Sequence, residues 1–95
     1  MPNIKLSYLY RDSANYKTHG YVVFTNPKEI SLKEAESYVS SKLIDGEYFY
    51  ANQWQVPDLF PATFNPSDDP TWHELESVEL TNEPATFPHR PIRSP

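Results

Sequence analysis

The chain has 95 residues, no cysteine and a formal charge of −5 at neutral pH, so it holds material for one domain around one core. Without cysteine, disulfides, thiolate catalysis, iron–sulfur clusters and Cys-ligated zinc are excluded, and the acidic balance argues against a surface that binds nucleic acid or anionic lipid. Burial then falls to seven Tyr, five Phe and two Trp, each able to remove roughly 150–250 Å² from water.

Residues Ile4 to Arg11 alternate, with Ile4, Leu6, Tyr8 and Tyr10 on one face and Lys5, Ser7, Leu9 and Arg11 on the other. That is the pattern of a half-buried strand. Asp12-Ser13-Ala14-Asn15 supplies turn formers, and Tyr21-Val22-Val23-Phe24-Thr25 is a β-branched and aromatic run, so a hairpin is predicted. Asn26-Pro27 stops the second strand because proline removes a ladder donor and restricts the residue before it.

A helix is predicted from about Ser31 to Gly46. Ser31-Leu32-Lys33-Glu34 reads as a capping box, with Ile30 placed to staple onto Ala35. Leu32, Ala35, Tyr38, Val39 and Leu43 form the apolar stripe, and Gly46 is the expected left-handed stop. Glu47 to Val56 alternates again and is read as a third strand.

Eight of the ten prolines lie from Pro57 onward, which punctuates every long element and predicts a loop pinned by Leu59, Phe60 and Phe64. Trp72 to Leu80 reads either as a helical turn after Asp69-Pro70 or as a strand, and a strand after a short turn is favoured. The expected domain spans residues 1–84, and the proline-rich segment 85–95 is read as an extended or disordered tail. The resulting fold class is α+β: a two-layer ββαββ domain with an antiparallel sheet, one helix, a Pro-rich loop and a C-terminal tail.

No catalytic constellation stands out. Asp68, Asp69, His73 and Glu74 hold the atoms for a hard-cation or His-carboxylate metal site. On a strand, however, His73 and Glu74 point to opposite faces. A solvated acidic face is the simpler reading. No nucleophile elbow occurs, and two glycines cannot build a phosphate-cradling loop. His19-Gly20-Tyr21-Val22-Val23-Phe24 lacks the second aromatic at the spacing a base-stacking strand requires. Pro88-His89-Arg90-Pro91 fits a P-x-x-P ligand, a tetrad that arises often by chance. No cofactor is expected.

Four strings carry a resemblance: Tyr8-Leu9-Tyr10-Arg11-Asp12 with Asn15-Tyr16-Lys17; Val23-Phe24 with Asn26; Leu43-Ile44-Asp45-Gly46-Glu47 with Phe49; and Trp72-His73-Glu74-Leu75-Glu76-Ser77-Val78-Glu79. Over roughly residues 4–84 the chain resembles a group of short uncharacterised bacterial proteins. The resemblance implies a bacterial or phage origin and an ordered polar loop around Arg11, Asp12, Asn15, Tyr16 and Lys17, and it nominates no catalytic residue.

The expected function is therefore a non-enzymatic interaction or regulatory module. No apolar run reaches signal-peptide or membrane-spanning length, so a cytoplasmic location is expected. The partner would be another protein or a second copy of the chain, with neither nucleic acid nor membrane involved. Tyr8, Tyr10, Arg11, Asp12, Tyr16, Tyr48, Tyr50 and Trp54 are the candidate contact residues. The alternative is a small metal-assisted hydrolase using Asp68, Asp69, His73 and Glu74.

Overall fold

Two nine-residue strands, β1 (Asn3–Arg11) and β2 (Lys17–Thr25), form the antiparallel hairpin that their alternation predicts, in register from Ile4 opposite Phe24 to Arg11 opposite Lys17. The computed structural model describes residues 2–61, 64–65, 67 and 69–91, the last five of these as backbone. After the hairpin come α1 (Leu32–Ser40), β3 (Tyr48–Phe49), the single turn α2 (Ala51–Trp54), β4 (His73–Thr81) and β5 (Phe87–Pro91). The chain is thus a small mixed α+β domain. Its sheet runs β3-β4-β1-β2-β5, with the first four strands antiparallel and β5 alongside β2 in parallel.

The inward row of β1, Ile4, Leu6 and Tyr8, meets Val22 and Phe24 of β2 and Val78 of β4 under Ala35 and Val39 of α1, with Phe49, Ala51 and Val56 closing one end. A register shift between Ser7 and Tyr8 sets this face. Ser7 lies opposite Ser77, but Tyr8 lies opposite Leu75, so β4 carries one extra residue at Glu76. Such a bulge re-aims the side chains that follow it. Here it turns Leu75 and His73 inward beside Tyr8 and Tyr10.

Helix α1 starts as expected. The Ser31 hydroxyl accepts the Glu34 amide at 3.1 Å, satisfying one of the donors that a helix start leaves unpaired. Its end differs from the expected Gly46. The regular helix stops at Ser40, and the chain leaves through tighter turns from Lys42 to Val39 and from Leu43 to Ser40. The Ser41 hydroxyl donates to the Tyr38 carbonyl at 2.6 Å, the local competition by which serine weakens a helix. Asp45 and Gly46 instead occupy a tight turn at φ 53° and 72°, with Ile44 and Tyr48 exchanging backbone hydrogen bonds across it at 2.7 and 3.0 Å. Asp-Gly is the pair that tolerates two successive positive φ values.

The expected strand over Glu47–Val56 is corrected as well. Only Tyr48 and Phe49 pair with β4, opposite Glu74 and His73. The chain then coils into α2, where Trp54 stacks on Phe49 with ring centroids 4.3 Å apart. Ala51-Asn52-Gln53-Trp54 contains no β-branched residue, and stacking two aromatic rings favours a turn over continued alternation. The second strand pair of the anticipated ββαββ order is accordingly two residues long, and β5 adds a fifth strand. Among the described residues no helix is long and apolar enough to cross a membrane.

Asn26, buried where β2 ends, clamps the approach to α1: its Nδ2 donates to the Ile30 carbonyl and its Oδ1 accepts the Ile30 amide, both at 3.1 Å. Asn26→Ala leaves both Ile30 groups without these partners and is expected to cost about 1–3 kcal/mol, read as a lower urea midpoint with an unchanged slope.

Candidate functional site

Among the described residues of the Pro-rich segment after Pro57, the backbone pairs within itself from Phe64 to Pro61 and from Asp69 to Asn65, and other polar groups take partners elsewhere. Three inward side chains of the sheet supply them. Tyr8 donates its hydroxyl to the Pro57 carbonyl at 2.6 Å, Tyr10 donates to the Pro70 carbonyl at 2.6 Å, and His73 Nε2 accepts the Leu59 amide at 3.0 Å. The His73 ring lies among Tyr8, Tyr10, Phe49 and Phe60 at centroid distances of 5.2–5.9 Å. Burial lowers the imidazole pKa, and because Nε2 accepts, the neutral tautomer carries its proton on Nδ1, which is buried with no hydrogen-bond partner. Burial also raises the Tyr8 hydroxyl to about 12.

Tyr8 and Tyr10, expected among surface anchors, are therefore core residues at 1 % exposure each. Alternation placed them on the same face as Ile4 and Leu6, and that face is the buried one. Trp54 likewise packs onto the core through Phe49. Tyr16 is exposed at the hairpin tip, where Asp12 Oδ1 accepts the Ala14 and Tyr16 amides at 2.9 Å each. Arg11 does not pair with its neighbour Asp12. It reaches across to β4, donating from Nε to Glu74 Oε2 at 3.0 Å and from Nη1 to Asn15 Oδ1 at 2.9 Å.

The structure does not gather the described members of the anticipated metal cluster. Asp69 accepts from the Ser13 hydroxyl and amide and from the Asn65 amide, contacts that hold its carboxyl below the usual range. His73 sits in the core, Glu74 faces Arg11 on the opposite side of the sheet, and Asp68 lies outside the described residues. Among the described residues no group of three or more His, Asp or Glu is placed to hold a metal ion. The alternation of β4 parts His73 from Glu74.

Away from the hairpin, where Tyr16 and Tyr21 are exposed, the half-buried Tyr48 and Tyr50 meet the exposed Trp72 at the β3 corner. The Asp45-Gly46 turn folds Tyr48 back beside Ile44, and the β3–β4 pairing sets Tyr48 against Trp72, rings edge to face at 6.0 Å. Trp72 is 43 % and Ile44 44 % exposed, a large fraction for side chains this apolar. Two shallow clefts share the Tyr48–Trp72 wall. One, of about 280 Å³, is completed by Ile44, Asp45 and Tyr50; the other, of about 420 Å³, includes Arg11, Asp12, Glu47 and Glu74. The adjacent Glu47 charge, then burial and Glu74, raise the Tyr48 pKa. Of the expected contact residues, Tyr48, Tyr50, Arg11 and Asp12 thus converge here, joined by Trp72 and Ile44, which sequence reasoning missed. The signal for Ile44 was the Asp-Gly turn that follows it.

These features define a small α+β domain with a curled antiparallel sheet and an exposed aromatic, largely acidic corner. The chain matches no protein-family model, no curated protein and no solved structure.

Proposed function

We propose that the chain is a non-enzymatic protein-interaction or regulatory module of bacterial or phage origin, working in the cytoplasm through the corner built by Tyr48, Tyr50 and Trp72. The observation that carries this reading is the Tyr48–Trp72 wall between two open clefts, since aromatic side chains already held in place by packing give large contact area at low entropic cost. Partner binding by strand addition is disfavoured at both sheet edges. At β3 the outward backbone groups of Tyr48 are taken by Ile44, and at β5 Pro88 and Pro91 carry no N–H. Side-chain docking remains, and the carboxylates around the clefts favour a protein partner over nucleic acid or an anionic membrane.

A photo-crosslinking residue placed at position 50 in the native host is expected to trap one protein at a defined mass, and Trp72→Ala is expected to abolish the adduct. A crosslinker at position 16, at the hairpin tip, serves as control. Equal labelling at both positions, or an adduct that survives Trp72→Ala, would count against the corner as the contact surface.

A further inference from the structure

Resting on that reading, we infer that what docks at the corner is a basic segment of the partner protein, with a lysine or arginine side chain seated against Tyr48 and Trp72 between Asp45 and Glu47. The chain contains its own example of this recognition. Lys5 Nζ lies 4.2 Å from the centre of the Tyr21 ring while pairing with Glu83 at 3.0 Å, an ammonium held between an aromatic face and a carboxylate. The same two components stand at the corner. Tyr48, Tyr50 and Trp72 supply the rings and Asp45 the carboxylate of the smaller cleft, whose lining includes no basic residue, and Glu47 adds a second carboxylate from the larger one.

Charge complementarity identifies the occupant. Arg11 is the basic residue of the larger cleft, and it is directed to Glu74 and Asn15. Asp12 directs one oxygen to backbone amides of its own turn. The Arg11 charge still reaches Tyr48, but the Glu47 charge is the largest influence there and Glu74 adds to it, and Asp45, exposed in the smaller cleft, has the same sign. The Glu47 charge already disfavours a tyrosinate on Tyr48, and the same field favours an incoming cation. An aromatic face attracts a cation within about 6 Å of its centre, and more strongly when a carboxylate completes the site. An acidic or purely apolar segment would leave these carboxylates opposed or desolvated without partners.

The test is a titration of the isotope-labelled chain with a blocked Gly-Lys-Gly-Lys-Gly peptide, followed by amide and indole NMR shifts, against Gly-Ser-Gly-Ser-Gly and Gly-Glu-Gly-Glu-Gly. The lysine peptide alone is expected to move the Trp72 indole and the amides of 44–50 and 72–74, with signals around Tyr21, already faced by Lys5, unmoved. Asp45→Asn with Glu47→Gln is expected to weaken binding about tenfold, as is Trp72→Leu. All three positions are exposed, and Asn tolerates the positive φ of position 45. Shifts that match the serine peptide, that spread over every acidic surface, or that persist in the Asp45/Glu47 double variant would overturn the inference. A crosslinked partner at position 50 combined with no response to lysine would refute the basic segment alone and leave the docking corner standing. Self-association through Ile44 and Trp72, detected by light scattering and lost in Trp72→Leu, would replace the basic partner with a second copy.

Discussion

Replacing Tyr8 with Ala is expected to cost about 3–5 kcal/mol, the range for deleting a large buried ring, which for a domain of this size approaches the whole stability. The ring is 1 % exposed, meets Phe49 edge to face at 5.5 Å and lies 5.9 Å from the His73 ring. Its removal therefore opens the centre where sheet, α2 and Pro-rich loop meet. Tyr8→Phe separates the two roles of the residue. It keeps the packing and deletes the 2.6 Å hydrogen bond to the Pro57 carbonyl. Because Pro57 is exposed, water replaces part of that bond, and the expected loss is about 1 kcal/mol. Urea unfolding measures both variants, and amide exchange gives the sharper signature: in Tyr8→Phe, protection at Leu59 falls before that of β1. Uniform loss of protection would mean that the hydroxyl does not hold the loop. Alkali adds an independent check. The Tyr8 pKa is raised to about 12 in the fold, so the unfolded chain loses this proton first. Stability is then complete below the ordinary tyrosine pKa of about 10 and declines as pH rises toward the folded value, a decline that Tyr8→Phe reduces.

How much of this was legible in the sequence depends on the range of the interaction that decides each element. The alternation of Ile4, Leu6, Tyr8 and Tyr10 and the Ser31–Glu34 capping box are local, and both elements start where they were predicted. The end of α1 was misplaced because Gly46 satisfies two descriptions, a helix stop and the second residue of an Asp-Gly turn, while the helix caps earlier at Ser41, whose hydroxyl bonds the Tyr38 carbonyl. The segment 47–56 alternates in composition but not in burial. The stacking of Trp54 on Phe49 is a tertiary event that no period-two pattern encodes. The same limit governs the site. Tyr48 and Tyr50 keep part of their surface open at the corner, whereas Tyr8 and Tyr10 look identical in composition and differ only in which face is covered. Trp72 joined the corner through the β3–β4 register, and Arg11 meets Glu74 rather than Asp12 across a β1–β4 pairing whose bulge lies at Glu76, pairings separated by dozens of residues in the chain.

The role of His73 predicts how the domain responds to acid. Its Nε2 accepts the Leu59 amide at 3.0 Å. A protonated imidazole has donors on both nitrogens and accepts nothing, so protonation breaks that bond and places a charge within the core. The groups facing the ring are few. β1 contributes the Tyr8 and Tyr10 rings, whose hydroxyls are directed to Pro57 and Pro70; β3 contributes Phe49; the loop contributes Phe60 and, as the one charge acting on the ring among the described residues, Asp58. Asp58 pulls the pKa upward, but burial is the larger influence and the net displacement is downward. With a folded pKa below the unfolded value, the unfolded chain binds the proton first. This contribution to stability is therefore complete above about pH 6.5 and is lost as pH falls below that value toward the folded pKa. The carboxylates with lowered pKa, Asp69 and Glu83, act in a separate window, below about pH 4.5. His73→Gln keeps an acceptor for the Leu59 amide without a group that titrates there. The variant is expected to be less stable at pH 8, having lost four ring contacts, yet flat between about pH 6.5 and pH 5, where the wild-type urea midpoint declines. The two curves converge as pH falls. Parallel curves would assign the acid response to a group other than His73 and would remove the coupling between this imidazole and the loop that covers it.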